Sequence, residues 1–366
     1  HRHDWRRGGR GHTRLSSAGS ASNDQVAWGE LRFVLGGATS VNGSGGVAGF
    51  LRNLDRGTMD GLGQPVVRYE TFPLGDSSGA LLATGCGYPS VDTAAEIARA
   101  DAYTPHVAEG IGVEARNEFL CIRTGATDLV QPQSAFVHGV GLLPPDISEM
   151  ATEGVALIWS PRSNVTLYGD TAHVTEYARL GVPIALGSDW IISGSMNMLR
   201  EMRCADSLDA NFYGDFFTDE AIWLMATRDA AAALAVDDAV GVIATGRVAD
   251  LAIFNGAMHR DHRAVIDAAP GDVTLVMRGG SALYGDATLV SALPGGAMCD
   301  PLDVCGVNKP VCVSRDLGGR GLPALSSANS GRYPLFFCGE PMNEPSCLPE
   351  RNAMGSLPNP VVSGST

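Results

Sequence analysis

Between residues 104 and 208 the chain alternates short apolar blocks with longer stretches of helical period. The blocks at 134–138, 155–159 and 183–187 are almost wholly apolar and lack a polar alternation. Short unbroken apolar runs of this kind mark parallel strands buried on both faces. Residues 112–120, 145–152, 171–180 and 195–205 return to helical spacing. Upstream, residues 23–34 predict a helix through Val26, Leu31, Val34 and Leu35, stopped by Gly36 and Gly37. A short buried strand at 38–41, a loop at 42–46, an alternating strand at 66–72 and a helix at 92–102 capped by Asp92 follow. Residues 219–235 predict a further helix. Beyond Val240 the pattern becomes all-β, with a turn between short strands at 241–254 and a strand and hairpin at 272–285. The fourfold strand–loop–helix rhythm predicts a parallel α/β architecture. A closed (β/α) barrel gathers its strand ends at one mouth, whereas an open sheet lines them up along an edge.

Each block of this rhythm ends in a polar residue: His106, His138, Asn164 and Asp189. Around the first of them, Pro105 disfavours helix and places His106 near the end of a strand. In a straight strand Glu109 would face away from His106, so the two meet only if the chain turns at once. Gly110 and Gly112 permit such a turn. A neutral imidazole that binds a metal, beside a carboxylate that carries protons, is the minimum equipment for metal-assisted hydrolysis. Each residue also has a plainer reading. His106 and His138 could be core imidazoles, Glu109 a surface carboxylate, and Asp189 the cap of the next helix. A carboxylate directly after an apolar strand is costly unless paired or metal-bound, and the four polar ends recur in one order. Together they favour a metal site.

The 366 residues are 45% apolar and 18% charged, a globular composition with 46 glycines. A net charge of −14 makes nucleic acid and anionic membrane poor partners. No apolar run reaches the length of a bilayer span. Three cysteines (Cys86, Cys121, Cys204) are scattered, and five (Cys299, Cys305, Cys312, Cys338, Cys347) crowd into a tail rich in Pro, Gly, Asn and Ser. Such a segment usually needs disulfides, which points to a periplasmic or secreted location, with the cytoplasm as the alternative. Zinc is the competing reading of these cysteines, without a Cys-x-x-Cys pair to support it. Five tail cysteines leave at least one to pair with the body or stay free. Residues 1–25 are basic and glycine-rich and read as irregular. His1 and His3 would share a face in a strand, but no apolar run precedes them. His259 and His262 fall in a polar connection, and the sequons at Asn42 and Asn164 are short matches.

The segments His106-Val-Ala-Glu109, Phe136-Val-His-Gly-Val-Gly-Leu142, Ser160-Pro-Arg-Ser-Asn164 and Ala185-Leu-Gly-Ser-Asp189 carry a resemblance. So do Ala226-Thr-Arg-Asp-Ala-Ala231 and Gly241-Val-Ile-Ala-Thr-Gly-Arg-Val-Ala-Asp-Leu251. In this order, over about residues 26–290, the chain resembles the amidohydrolase superfamily, in its branch of cytosine and guanine deaminases and triazine hydrolases. The resemblance implies a (β/α)8 TIM-type barrel with a small β-sandwich built from both chain ends. It implies His106 as metal ligand, Glu109 as proton carrier, His138 as the residue that holds or polarises the attacking water, and Asp189 as metal ligand and proton acceptor. Asn164 and Trp190 fall where substrate is contacted. One divalent metal is implied, zinc first and iron second, with a small polar ring-containing substrate and hydrolysis of a non-peptide C–N bond. A homo-oligomer is compatible with the resemblance.

Three departures shape the expectation. The family carries two metal ligands as His-x-His on its first strand, and only His1-Arg-His3 offers a match here. The expectation is therefore a barrel lacking its first strand over 1–239, the C-terminal half of the sandwich over 240–292, and a disulfide-bonded tail over 293–366. Trp159 stands where relatives carry a smaller residue, so it narrows the pocket or stacks on a ring. The cysteine-rich tail lies outside the common pattern. The alternative function is a truncated or non-catalytic barrel that binds a small ligand without holding metal.

Overall fold

Five short parallel strands lie at the centre of the computed structural model, which describes residues 1–15, 20–43, 46–57, 61–62 and 67–349. In chain order the elements begin with helix α1 (Arg2–Arg7), α2 (Asn23–Leu35) and the paired strands β1 (Ser40–Val41) and β2 (Arg52–Asn53). Strand β3 (Arg68–Glu70), α3 (Ala94–Ile97), β4 (Tyr103–Val107) and α4 (Val113–Leu120) come next. Then come β5 (Ala135–His138), α5 (Pro144–Glu153), β6 (Ala156–Trp159), α6 (Pro161–Tyr168), α7 (Val174–Leu180) and β7 (Ile184–Leu186). Helices α8 (Met198–Leu208), α9 (Asp219–Met225) and α10 (Arg228–Ala233) close this half. The sheet order is β3-β4-β5-β6-β7, so each strand lies beside its chain neighbour, as successive βα crossovers require. All five residues of β4 are buried, and no polar alternation is needed where both faces are covered.

Local chemistry explains most boundaries. Ser22 and Gln25 form a capping box at the start of α2, and the buried face of this helix (Ala27, Leu31, Val34, Leu35) enters the main core. Helix α3 is only four residues long and is capped by Thr93 rather than Asp92, with Glu96 closing the box. Asp92 instead accepts from the Tyr103 hydroxyl at 2.6 Å. Pro144 and Pro161 open α5 and α6, where a missing N–H costs nothing. The segment after β6 was expected as loop. It is a full helical turn and more, and Asn164 sits in its first turn rather than at a strand edge. Of the expected strand at 66–72, Val66 lies outside the described residues, as do Ser44 and Gly45 of the loop at 42–46.

The largest departure is at the start of the chain. Residues 2–7 form α1, and His1, Arg2, His3, Asp4 and Trp5 are all buried. The Trp5 indole donates to the Leu167 carbonyl at 2.6 Å, and the Arg2 N–H donates to the Glu109 carbonyl at 3.1 Å. Sequence pattern missed this because the segment packs through charged and aromatic side chains rather than through an apolar stripe.

The three-stranded antiparallel sheet β8 (Leu251–Phe254), β9 (Val273–Arg278) and β10 (Ser281–Gly285) is tied to β2 by the Arg52–Asp250 ion pair at 2.6 Å. All eight cysteines pair, as Cys86–Cys121, Cys204–Cys347, Cys299–Cys312 and Cys305–Cys338. One tail cysteine therefore reaches the body, at Cys204 on α8. Around it, Arg200 binds Glu340 and Glu344, and Arg162 binds Glu344 at 3.3 Å and the Pro345 carbonyl. Residues 350–366 of the tail lie outside the described residues.

Candidate active site

The parallel register sets the first relation. Val107 pairs with His138 and His106 with Val137, so both imidazoles arrive at the same edge of the sheet, with ring centroids 5.1 Å apart. The turn that returns Glu109 to this edge is made first by Ala108, at φ 54°, and then by Gly110, at φ 154°. Its backbone is held by Glu118, which accepts from the Ala108 N–H at 3.0 Å. His138 (φ 79°) and Asp189 (φ 55°) are left-handed too. A non-glycine residue there costs about 1–2 kcal/mol, and three of them, at the ends of β4, β5 and β7, are the kind of strain that gathers at functional sites.

Glu109, His138 and Asp189 converge: one ligand atom from each lies within 4.8 Å of the others. His138 Nε2 is 3.6 Å from Glu109 Oε2 and 3.9 Å from Asp189 Oδ2, and it is buried with no hydrogen-bond partner among the described residues. Behind it runs a relay. The Trp159 indole donates to Thr171 Oγ1 at 2.7 Å, Thr171 donates to Asn164 Oδ1 at 3.3 Å, and the Asn164 amide nitrogen meets His138 Nδ1 at 3.0 Å. With Oδ1 taken by Thr171, the Asn164 amide donates to Nδ1 and leaves the His138 proton on Nε2, facing the carboxylates. Asn164 thus lies fully buried against His138, and Trp159 is buried beneath it rather than lining a pocket. The expectation that Trp159 narrows the pocket is corrected by the indole's engagement with Thr171.

Asp189 accepts from Ser163 Oγ, which also meets Ser193 Oγ at 2.9 Å. Glu109 accepts from the Tyr168 hydroxyl at 2.8 Å through Oε1, and its Oε2 lies 3.8 Å from Arg2 Nη1. Burial raises the Glu109 carboxyl, but His138, Arg2 and His106 outweigh it and hold it below the usual carboxylate range. His106 stands beside this group, outside the set that converges within 4.8 Å. Its Nδ1 is 3.3 Å from the Glu70 carbonyl, which fixes the tautomer and leaves Nε2 with a free lone pair. Burial, with the neighbouring His138, pushes His106 down to about 4, so the ring is neutral at neutral pH. Trp190 lies on the rim, partly exposed.

A second buried cluster adjoins the first. His1 Nε2 meets Glu118 at 2.9 Å, and His3 Nε2 meets Asp76 at 2.6 Å. Arg2 lies between them, bound to Asp76 at 2.7 Å and Glu118 at 3.3 Å, and donates to the His106 carbonyl at 3.3 Å. Burial pushes Glu118 up to about 7. His1, His3 and Glu118 could themselves hold an ion, yet each imidazole already has its own carboxylate, His1 in Glu118 and His3 in Asp76. Sequence reasoning did not find Arg2, Asp76, Glu118, Ser163 or Tyr168. A carboxylate on the buried face of α4 and a proline at the first position of α6 were the available signals.

A sequence model described as the amidohydrolase family matches residues 95–283. The 5-methylthioadenosine/S-adenosylhomocysteine deaminase of Pyrococcus abyssi is 30% identical over 166 residues, covering 42% of this chain and 38% of that protein. The 5'-deoxyadenosine deaminase of Methanothermobacter thermautotrophicus is 30% identical over 170 residues, covering 43% and 39%. The chain thus aligns with well under half the length of these curated relatives. Among solved structures, an adenosine deaminase from Xanthomonas campestris with bound zinc superposes with a TM-score of 0.54 at 19% identity, covering 71% of this chain and 69% of that one. This likeness shows a TIM-barrel-like α/β fold.

Proposed function

The chain belongs to the amidohydrolase family, and on that premise we propose that it carries the strand-end machinery of a metal-dependent deaminase acting on a small nucleoside or similar ring. The observation that carries the reading is the convergence of Glu109, His138 and Asp189 at one sheet edge beside a neutral His106.

The residues present fit a divalent ion. Two carboxylates that approach within 4.8 Å of one another, and of a buried imidazole nitrogen without a partner among the described residues, form the oxygen-rich donor group that a divalent ion would take. His106 and Asp189 would hold the ion, zinc before iron. The fixed tautomer of His106, with Nδ1 on the Glu70 carbonyl, is the arrangement that frees the other nitrogen for a metal. When bound, such an ion lowers the pKa of a coordinated water towards neutrality.

The chain's own side chains then divide the work. Asp189, steadied by Ser163, accepts a proton from the attacking water. His138, its tautomer set through Asn164, points Nε2–H at that water and polarises it. Glu109 carries a proton to the leaving nitrogen, so that water and a C–NH2 group become C–OH and ammonia. Trp190 on the rim supplies an aromatic face for the ring. Asn164 reaches substrate only through His138. The four disulfides support a reading of this chain as extracytoplasmic, and the change from parallel to antiparallel sheet supports a boundary near residue 240.

A second reading, a ligand-binding barrel without metal, is favoured by the engagement of His1 and His3 with Glu118 and Asp76. Metal analysis of the purified chain with added zinc, alongside ammonia release from adenosine, 5'-deoxyadenosine and 5'-methylthioadenosine, separates the two. One ion per chain with ammonia release supports the deaminase. A chain that takes up no metal supports the second reading.

A further inference from the structure

Helix α6 is eight residues long, about 12 Å, yet it touches the candidate site at three points. Ser163 donates to Asp189, Asn164 meets His138 Nδ1, and Tyr168 donates to Glu109. The third contact is the least expected. Tyr168 is fully buried at the C-terminal end of the helix, where Gly169 at φ 65° closes the last turn. Its hydroxyl lies 2.8 Å from Glu109 Oε1. The other oxygen, Oε2, lies 3.6 Å from His138 Nε2. A carboxylate on a flexible side chain can present either oxygen, and proton transfer needs one of them at a fixed place. Here one oxygen is spoken for, and the other is turned to the site.

We propose that Tyr168 is a positioning residue: its hydroxyl pins Glu109 Oε1 so that Oε2 alone is presented to the reacting water and leaving group. This rests on the reading of Glu109 as proton carrier. The main chain of the same turn is braced separately, by Arg2 N–H on the Glu109 carbonyl and by Glu118 on the Ala108 N–H. Removing the hydroxyl therefore frees the carboxylate without releasing the turn. The ring of Tyr168, packed with Trp5, Val140 and Leu167, is kept by phenylalanine.

The deciding experiment is the crystal structure of Tyr168→Phe. The expected result is a Glu109 carboxylate rotated away from its place or spread over several, with His138, Asp189 and the turn at Ala108 unmoved. A carboxylate that keeps its place overturns the proposal. In parallel, kcat for adenosine or 5'-deoxyadenosine should fall about ten- to a hundredfold, with KM within about twofold and zinc content unchanged. An unchanged kcat likewise overturns it. Glu109→Gln is the control that separates this inference from its premise. Turnover that survives Glu109→Gln sinks the proton-carrier reading. Turnover lost in Glu109→Gln but intact in Tyr168→Phe sinks the role of Tyr168 alone.

Discussion

The strand-end edge of the parallel sheet and the C-terminal tail hold their shapes by opposite means. At the edge, β4 and β5 are buried along their whole length, and three polar side chains of the site are each braced by another: Asp189 by Ser163, His138 by Asn164, Glu109 by Tyr168. In the tail, elements are short, and two of the four disulfides lie wholly within it while a third has one end there. Cys299–Cys312 and Cys305–Cys338 close local loops of 13 and 33 residues, whereas Cys204–Cys347 spans 143 and straps the tail to α8. The difference shows what each region is organised to keep. Burial with mutual hydrogen bonding fixes atoms to fractions of an ångström, as chemistry requires. Cross-links fix only which segments stay together, by limiting the unfolded chain.

The sharpest way to break this comparison is at the edge. Glu109→Gln preserves shape and removes the transferable proton, and should lower kcat about 10²–10⁴-fold with metal content retained, measured by ammonia release and metal analysis. Next is the strap. Cys204→Ser with Cys347→Ser should cost about 2–4 kcal/mol of stability in denaturant unfolding. It should also expose the segment around Glu344 to protease while the circular dichroism of the sheet and helices stays.

A smaller effect lies where the two regions touch. Glu201 on α8 accepts from the Arg162 N–H at 3.1 Å, and burial pushes it up to about 7. Its folded pKa lies above that of the unfolded chain. Between those two values the folded form binds the extra proton, so its stabilising contribution is full below the unfolded pKa and declines as pH rises through 7. Thermal midpoints should fall from pH 5 to pH 8, and Glu201→Gln should flatten that slope. A slope unchanged by the substitution would assign the dependence elsewhere. The smallest effect is expected from Ala108→Gly. Glycine relieves the left-handed strain but adds freedom to the unfolded chain, so stability should shift by no more than about 1 kcal/mol. Turnover should still drop a few-fold as the Glu109 turn loosens.

Much of the edge was legible in the sequence because parallel strands announce themselves as unbroken apolar runs. Residues 134–138, 155–159 and 183–187 all carry strands at or within a residue or two of those bounds. The turn after His106 was legible too, as a geometric necessity, although glycine was expected to make it and Ala108 makes its first step. Helix α6 was not. Its apolar and polar residues are all buried, so no stripe distinguishes it, and Pro161 at its first position reads equally well as the start of a loop. The first residues were not legible either. Their burial rests on Arg2, His1 and His3 meeting Asp76 and Glu118, partners about 70 to 120 residues away, and no local pattern encodes such pairings. In the tail, cysteine density foretold the disulfides and left one cysteine either to pair with the body or to stay free; its pairing with Cys204 and the rest of the connectivity required coordinates.

Because a single short helix touches three working side chains, it acts as a lever with its fulcrum at Arg162, the residue clasped by Glu344 and the Pro345 carbonyl. A tilt of that rod is felt by all three side chains at once, so a change that shifts its backbone cannot be confined to one of them, whereas a single contact such as the Tyr168 hydroxyl can be removed alone. Attempts to broaden or redirect this scaffold would do better to vary the rim around Trp190 and leave the rod alone.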